Sequence, residues 1–428
     1  MISQYNPIEL RHWIGFWIST FSVAVVSFRG HAGAAIVLLV TAFLVAAFIK
    51  PKLSFQDLNP YERIFIALLI CWYGVQLFGI IYQPPGYELE NLRAQLKALD
   101  HPSRWVLLLP VFFLFRSYLI DWRYAALGLS LGAVVSTGIA HYQVYFLGLA
   151  RAYGGATHAI PYAELMVAID LVLWMYMVYA WDKGYKTLSV ALLVSSLIAF
   201  YGSLLTVTRG AWLVYIAMVV IWILYLYKNS IGGPIKLFSK PIMFRILLAG
   251  LVYFGVSQTR QYDLIESRMS STFNNLTEYG VAAVDKARAT IYEDSWKVVK
   301  DYPFGIGTNN FQAIKVDSVF TGPHGYRFTH AHNQWINILV QNGIQGLIAF
   351  STLMLFVFYV FWRSLKSHNE LVRLYAAIGM LLLFSYSIFG LTQAVFKHKD
   401  TLMFFVFYLY FFFGQVQVLL RKDEKLFT

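Results

Sequence analysis

Apolar runs of membrane-crossing length, divided by short polar turns, dominate this chain. Because about 17 to 25 mostly apolar residues reach across a hydrocarbon core, twelve segments qualify: 13–28, 33–49, 64–82, 105–115, 124–149, 161–181, 187–206, 210–227, 242–257, 333–362, 374–391 and 401–420. The fourth is short and is expected to begin before Arg104. The first is followed at once by the second and lacks a small-x-small cleavage site, which predicts a retained signal-anchor helix. One long polar stretch, residues 257–331, interrupts the pattern. Inside it, positions 281–300 have helical spacing. Val284, Ala287, Ile291, Tyr292, Ser295, Trp296 and Val299 form an apolar stripe, opposite Lys286, Thr290, Glu293 and Lys297. The expected fold is an all-α polytopic membrane protein of about twelve transmembrane helices, with a long helical loop between the ninth and tenth. Its parts would be helices one to nine (1–256), a helical cap (257–331), and helices ten to twelve with the C-terminus (332–428).

Composition agrees with a bilayer. Of 428 residues, 58% are hydrophobic, 18% aromatic and only 13% charged, and mean hydropathy is +0.57; soluble domains of this length are far more polar. The positive-inside rule favours both termini in the cytoplasm, with Lys228, Lys236, Lys240 and Arg245 in one inner loop and Arg421, Lys422 and Lys425 at the end. The long loop, the Arg29 and Arg209 turns and the His398 loop then face outward, into the periplasm of a Gram-negative cell. A net charge of +12 does not point to nucleic acid, since no basic stripe with interleaved aromatics lies on a soluble domain. The single cysteine, Cys71, falls within the third run, so no intramolecular disulfide is possible. No Cys or His pair has zinc spacing and no Asp-x-Asp occurs, so neither a metal nor a cofactor is expected.

A few polar residues stand out against this background. His332 opens the run His332-Asn333, nine residues, Gly343, two residues, Gly346, where the polar loop re-enters the membrane. At 100° per residue both glycines return to within about 40° of the histidine, so one helix face is expected to carry all three and fix His332 at a bundle mouth. Arg288 falls inside the apolar stripe of the loop helix, as a snorkelling side chain or as a functional cation. Arg209, in the tight hairpin Thr206–Trp212, sits at the outer boundary, where an ionisable group is hydrated, paired or used, or serves as an interfacial anchor beside Trp212. Glu164 and Asp170 lie in the sixth run, as counter-ions or proton sites. His141, His158 and His330 read as structural or hydrogen-bonding, His330 having the strongest functional claim. Gly305-x-Gly307 follows a helix and is too short for a dinucleotide fingerprint.

Three elements taken in order, Thr208-Arg209-Gly210, then Arg288-x-x-Ile-Tyr through Pro303-Phe-Gly-Ile-Gly-x-x-x-Phe311, then His332-Asn333-x9-Gly343-x-x-Gly346, resemble the O-antigen ligase and polymerase superfamily of bacterial envelope enzymes. The last spacing is most similar to the ligase branch. The resemblance implies transfer of a glycan from undecaprenyl pyrophosphate at the periplasmic face of the inner membrane. For ligases the acceptor is lipid A core oligosaccharide, for polymerases a growing polymer, for O-oligosaccharyltransferases a protein hydroxyl. By motif match His332, Arg209 and Arg288 would be the functional trio, with His330, Asn333 and Glu164 in support. Such chemistry needs a base for the incoming hydroxyl, which imidazole supplies, and positive charge for the departing pyrophosphate, which arginine supplies through a planar bidentate fork. Direct displacement would invert the anomeric configuration. A different class, a polytopic transporter or lipid flippase using Glu164, Asp170 and Arg209, fits the span count. Transporters, however, keep their polar residues near the midplane, whereas here they gather at one face.

Overall fold

The computed structural model describes residues 7–28, 36–37, 39–40, 58–87, 92–218, 239–279, 286–314 and 329–424. Among them every regular element is helical. In chain order α1 is Pro7–Ser27, α2 Pro60–Ile81, α3 Leu92–Ala98, α4 Asp100–Leu107, α5 Leu109–Ser117, α6 Trp122–Tyr145, α7 Ala159–Asp182 and α8 Lys186–Leu204. Then come α9 Ser239–Ser257, α10 Arg260–Tyr279, α11 Lys286–Asp301, α12 Gln334–Ser364, α13 Glu370–Thr392 and α14 Lys399–Glu424. Seven of these, α2, α6, α7, α8, α12, α13 and α14, are long and apolar enough to cross a membrane, so the chain is a multi-pass membrane protein. Of the twelve expected spans, the second lies mostly outside the described residues and the eighth is described only to residue 218. The fourth is two short helices, α4 and α5, parted at Leu108, because Pro110 in the first turn of α5 has no amide hydrogen to continue α4. The polar interruption is helical where described, as α10 and α11.

At the centre stands α14. Phe404, Phe405, Phe407, Tyr408, Tyr410, Phe411, Phe412 and Phe413 are all fully buried, as expected of a helix that is apolar all round. Polar side chains tie its C-terminal part to its neighbours. The Gln415 amide donates to the Phe115 and Tyr118 carbonyls at 2.7 and 3.0 Å and accepts from the Ile120 amide at 2.9 Å. Nearby, Glu62 accepts from Arg116 at 2.7 and 2.9 Å and pairs with Arg421 at 3.3 Å. Buried ions persist only when their remaining lone pairs are also satisfied; here the Asn59 amide, 2.9 Å from Glu62, completes a capping box. One carboxylate thereby locks the ends of α2, α5 and α14 together.

The helix that carries the Gly343-x-x-Gly346 spacing is broken. Gly343, at φ 65° and ψ −168°, is not helical, and the Pro303-Phe-Gly-Ile-Gly run lies across the break. Ile306 and Gly307 donate to the Val340 and Gln341 carbonyls, each at 2.9 Å, and Ile344 donates to the Pro303 carbonyl at 3.0 Å. The loop thus satisfies backbone groups that a kink releases. A Cβ on Gly343 would lie 2.4 Å from the Phe304 carbonyl carbon, and one on Gly305 would lie 2.5 Å from the Gln341 oxygen. The two glycine motifs are therefore two halves of one joint. This corrects the single-face expectation: α12 begins after His332, and Gly343 ends the helical register instead of continuing it. Gly346 leaves room for Asn342, whose β-carbon would be 2.4 Å from an added Cβ.

The joint rests on α2 and is roofed by α11. Thr308 donates through its amide to the Gly79 carbonyl at 2.8 Å and through its hydroxyl to the Gln76 carbonyl at 2.9 Å. Above, Ile291 and Val298 pack with Ile306, Phe311 and Val340. The buried face of α11 is consequently rotated from the expected stripe. Ile291, Asp294, Ser295 and Val298 are buried, whereas Trp296 is 56% exposed, because the joint sits beside Val298 and leaves Trp296 pointing away.

Candidate functional site

From the joint, residues 329–333 cross to the end of α13. Asn333 caps α12, its side-chain oxygen accepting the Trp335 and Ile336 amides at 2.9 and 3.1 Å, while its amide donates to the Leu391 carbonyl at 3.2 Å. Its work is architectural. His332 precedes the cap in the left-handed region, φ 50°, which few non-glycine residues adopt although histidine is among the tolerant ones, and its surroundings hold it there. The constraint is Gln393, which is 1% exposed. Its side-chain oxygen accepts the Ala394 amide at 3.1 Å, and both His330 Nε2 and His332 Nδ1 lie 2.9 Å from it. The backbone donor identifies that atom as the amide oxygen, which can only accept. Each facing ring nitrogen must then carry a proton. His332 is held as the Nδ1–H tautomer, with the lone pair on Nε2.

The second imidazole has a different task. His330 and His332 have ring centroids 4.3 Å apart, and the Thr329 hydroxyl, 2.8 Å from His330 Nδ1, completes the ring's bonding. Burial, reinforced by the neighbouring His332, pushes the His330 pKa down to about 3. It stays neutral and does not compete for a proton. His398 lies 5.8 Å from His330 and 4.6 Å from His158; burial and the adjoining imidazoles lower its pKa to about 2. His158 caps α7 by accepting the Ile160 amide at 3.3 Å, and His141 bonds Tyr201 at 2.8 Å, both structural roles.

The arginines approach from two sides. In the Thr206–Trp212 hairpin Val207 has φ 52°, and a Cβ on Gly210 would lie 2.6 Å from the Thr392 hydroxyl. The hairpin is thereby seated at Gly210 against Thr392, the last residue of α13. The Arg209 guanidinium donates to the Arg268 carbonyl at 2.6 Å. Arg151 braces the same hairpin, donating to the Thr206 carbonyl and the Thr208 hydroxyl at 2.9 Å each. Burial first, then the charges of Arg268 and Arg209, lower the Arg151 pKa, so three guanidiniums share one field. Arg288 is half-buried on α11, one turn before Tyr292, whose hydroxyl donates to the His332 carbonyl at 3.4 Å. Glu164 stands apart: it is 1% exposed, and neither carboxylate oxygen has a hydrogen-bond partner among the described residues. Asp170 accepts from Ser196 and from Tyr215, the latter at 2.6 Å.

Sequence reasoning missed Gln393, Arg151 and Arg268, and placed Tyr292 in the apolar stripe and in the Arg288-x-x-Ile-Tyr motif without its bond to His332. Arg151 carried a usable signal, a cation at a span boundary like Arg209. Gln393 carried none, since an amide after an apolar run is ordinary turn chemistry.

Fold and site together define a helical multi-pass membrane protein that gathers imidazoles and guanidiniums at one face. A family model described as O-antigen ligase matches residues 194–351, from α8 through the polar loop into α12, and thus spans Arg209, Arg288 and His332. That match bears out the resemblance to the O-antigen ligase superfamily over this stretch. An uncharacterized protein of Haemophilus influenzae is 23% identical over 414 residues, covering 93% of this chain and 96% of that protein, so the similarity extends beyond the matched domain.

Proposed function

We propose that the protein is a glycosyltransferase that moves O-antigen glycan from undecaprenyl pyrophosphate to a hydroxyl of lipid A core oligosaccharide at the periplasmic face of the inner membrane. The observation that carries this reading is the His332–Gln393 pair, which sets the proton on Nδ1 and the basic lone pair on Nε2, with Gln393 one residue after the point where the Arg209 hairpin meets α13 at Thr392. The acceptor hydroxyl gives its proton to His332 Nε2 as its oxygen bonds to the anomeric carbon. The bond from that carbon to the pyrophosphate oxygen breaks, the configuration inverts, and undecaprenyl pyrophosphate leaves with its added negative charge held by Arg209 and Arg288. Charge stabilisation by guanidinium makes a divalent metal unnecessary, so transfer is expected to survive EDTA.

The test uses purified protein, lipid-linked glycan and rough lipopolysaccharide. His332→Asn suits the left-handed backbone, which asparagine tolerates, and removes the base. Turnover should fall by about 10² to 10⁴ with donor binding retained; near-normal turnover would remove His332 from the chemistry. Higher-mass lipopolysaccharide is the expected product. Longer lipid-linked chains would make the protein a polymerase, and a glycosylated protein hydroxyl an O-oligosaccharyltransferase.

A further inference from the structure

At the end of the bundle opposite His332, α1, α6 and α13 surround a cavity of about 400 Å³. The placement follows from α13, whose 23 residues span about 34 Å, close to the thickness of a hydrocarbon core. Gln393 follows its last residue, whereas Leu371 and Tyr375, which line the cavity, lie in its first two turns. The His332 site and the cavity therefore sit at opposite membrane boundaries. The floor is apolar: Ile120, Trp122 and Tyr375 are buried, and the Tyr375 hydroxyl donates to the Ile120 carbonyl at 3.2 Å. The rim is charged, with Arg11 and His12 from α1 and Asp121 and Arg123 from the start of α6. Asp121 is paired with Arg123 at 2.7 Å, and His12 Nδ1 lies 2.6 Å from the Tyr124 hydroxyl. Arg11 is exposed, and among the described residues no carboxylate lies within ion-pair distance of its guanidinium. Two arginines against one aspartate leave the lining with one positive charge in excess.

Basic pockets between membrane helices bind anionic lipid headgroups, and the planar fork of arginine matches phosphate oxygens. A phosphodiester brings the single negative charge that balances the lining, and Asp121, neutralised by Arg123, does not oppose it. Phe16 lies four residues along α1 from His12, hence on the same face. It is exposed and offers acyl chains an apolar surface just inside the boundary. We propose that this cavity is a site for the headgroup of an anionic phospholipid, its phosphodiester on Arg11 and its glycerol in the cavity. The site goes beyond the glycan-transfer reading and uses none of its residues.

Native mass spectrometry of the purified full-length protein tests it, with phosphatidylglycerol and phosphatidylcholine of the same acyl chains titrated into the detergent complex. The first phosphatidylglycerol should bind about fivefold more tightly than phosphatidylcholine, the ratio that one basic side chain supplies against an anionic lipid. Arg11→Gln should bring the two lipids to within about twofold of each other at an unchanged thermal midpoint, since the side chain is exposed. Leu119→Trp, which fills the cavity, should abolish the preference. Lys186, three residues from the Lys183 that pairs with Glu370 at the start of α13, is a cation at the same boundary outside the lining, so Lys186→Gln should leave the preference intact. Equal binding of the two lipids, a preference that survives Arg11→Gln, or one that Lys186→Gln lowers as much would reduce the cavity to general surface charge and overturn the assignment. Displacement of the lipid by sn-glycerol 3-phosphate at the same concentration would also overturn it, making this a site for soluble phosphate esters.

Discussion

Replacing Gln393 by glutamate converts a neutral acceptor of two imidazole N–H groups into an anion of almost the same shape. The His332 Nδ1 distance is 2.9 Å and Gln393 is 1% exposed, so solvent screens the new charge poorly. Two unit charges about 4 Å apart attract by about 4 kcal/mol at an effective dielectric of 20. Desolvation of the carboxylate removes part of this, and observed shifts for such neighbours are about 1 to 3 pKa units. The carboxylate stabilises imidazolium, so the proton stays on His332 to higher pH and the base is lost earlier on acidification. The assay is kcat/KM for glycan transfer between pH 5 and 9, which reports ionisation of the free enzyme. In Gln393→Glu the acid limb should rise by about 1 unit or more, with activity recovering toward wild type at the alkaline end. Gln393→Ala, which frees the tautomer and the ring, should lose activity without that displacement. An acid limb that stays in place in Gln393→Glu, with a uniform loss at every pH, would mean that Gln393 only supports the fold.

Other outcomes follow from the same geometry. Gly343→Ala, with φ 65°, ψ −168° and a Cβ 2.4 Å from the Phe304 carbonyl carbon, should cost about 3 kcal/mol or more and lower folded yield, whereas Gly138→Ala, where nothing lies within 4 Å, should be neutral or stabilising; equal thermal midpoints would contradict the joint. Arg209→Lys and Arg288→Lys should each impair transfer and lipid-pyrophosphate affinity at matched expression, because an ammonium cannot reproduce a planar fork; wild-type values for both would show that charge alone suffices. His330 and His398, with pKa values lowered to about 3 and 2 by burial, gain protons only on unfolding. Their folded pKa values lie below the unfolded value of about 6.5, so stability is full above that pH and is lost as the pH falls toward them. The loss is about 3 kcal/mol for the two together at pH 5.5, read as a lower thermal midpoint than at pH 7.5.

The parts of this structure legible in the sequence were those set by local composition. Long apolar runs could only be buried helices, and Arg209 was conspicuous because a cation in so tight an apolar hairpin needs a reason. The break at Gly343 was hidden because spacing arguments assume an uninterrupted i→i−4 ladder, while here a loop some forty residues earlier supplies the bonds, as with Gln345 donating to the Phe304 carbonyl at 2.7 Å across 41 positions. The same holds for Gln393, 61 positions from His332. The rotated face of α11 shows the limit from another side: Trp296 and Val298 are equally apolar in a periodicity count, and only the position of the joint decides which is covered.

Three non-glycine residues among those described have positive φ: Val207, Asn309 and His332. None is in a regular helix, and all border the site or the joint. Such conformations cost on the order of 1 to 3 kcal/mol each and persist when neighbouring bonds over-determine them. Those bonds are present in every case. Val207 is flanked by the Thr208 amide donating to the Thr206 hydroxyl at 3.1 Å, the Asn309 amide donates to the Gln341 side chain at 2.8 Å, and His332 is bound to Gln393. Asparagine suits its position and histidine is among the residues enriched in the left-handed region; a β-branched valine is not. The chain therefore holds the Arg209 hairpin in a geometry that Val207 disfavours and the His332 turn in one that few residues adopt, anchored at Thr392 and Gln393 at the end of α13. Two constrained turns meeting at one helix end are what fixed placement of a base and a phosphate-binding cation would require, since neither would then have to reorganise as charge develops. Because asparagine tolerates the same backbone, His332→Asn should keep the thermal midpoint while lowering transfer; an equal loss of both would make His332 a residue that only supports the turn.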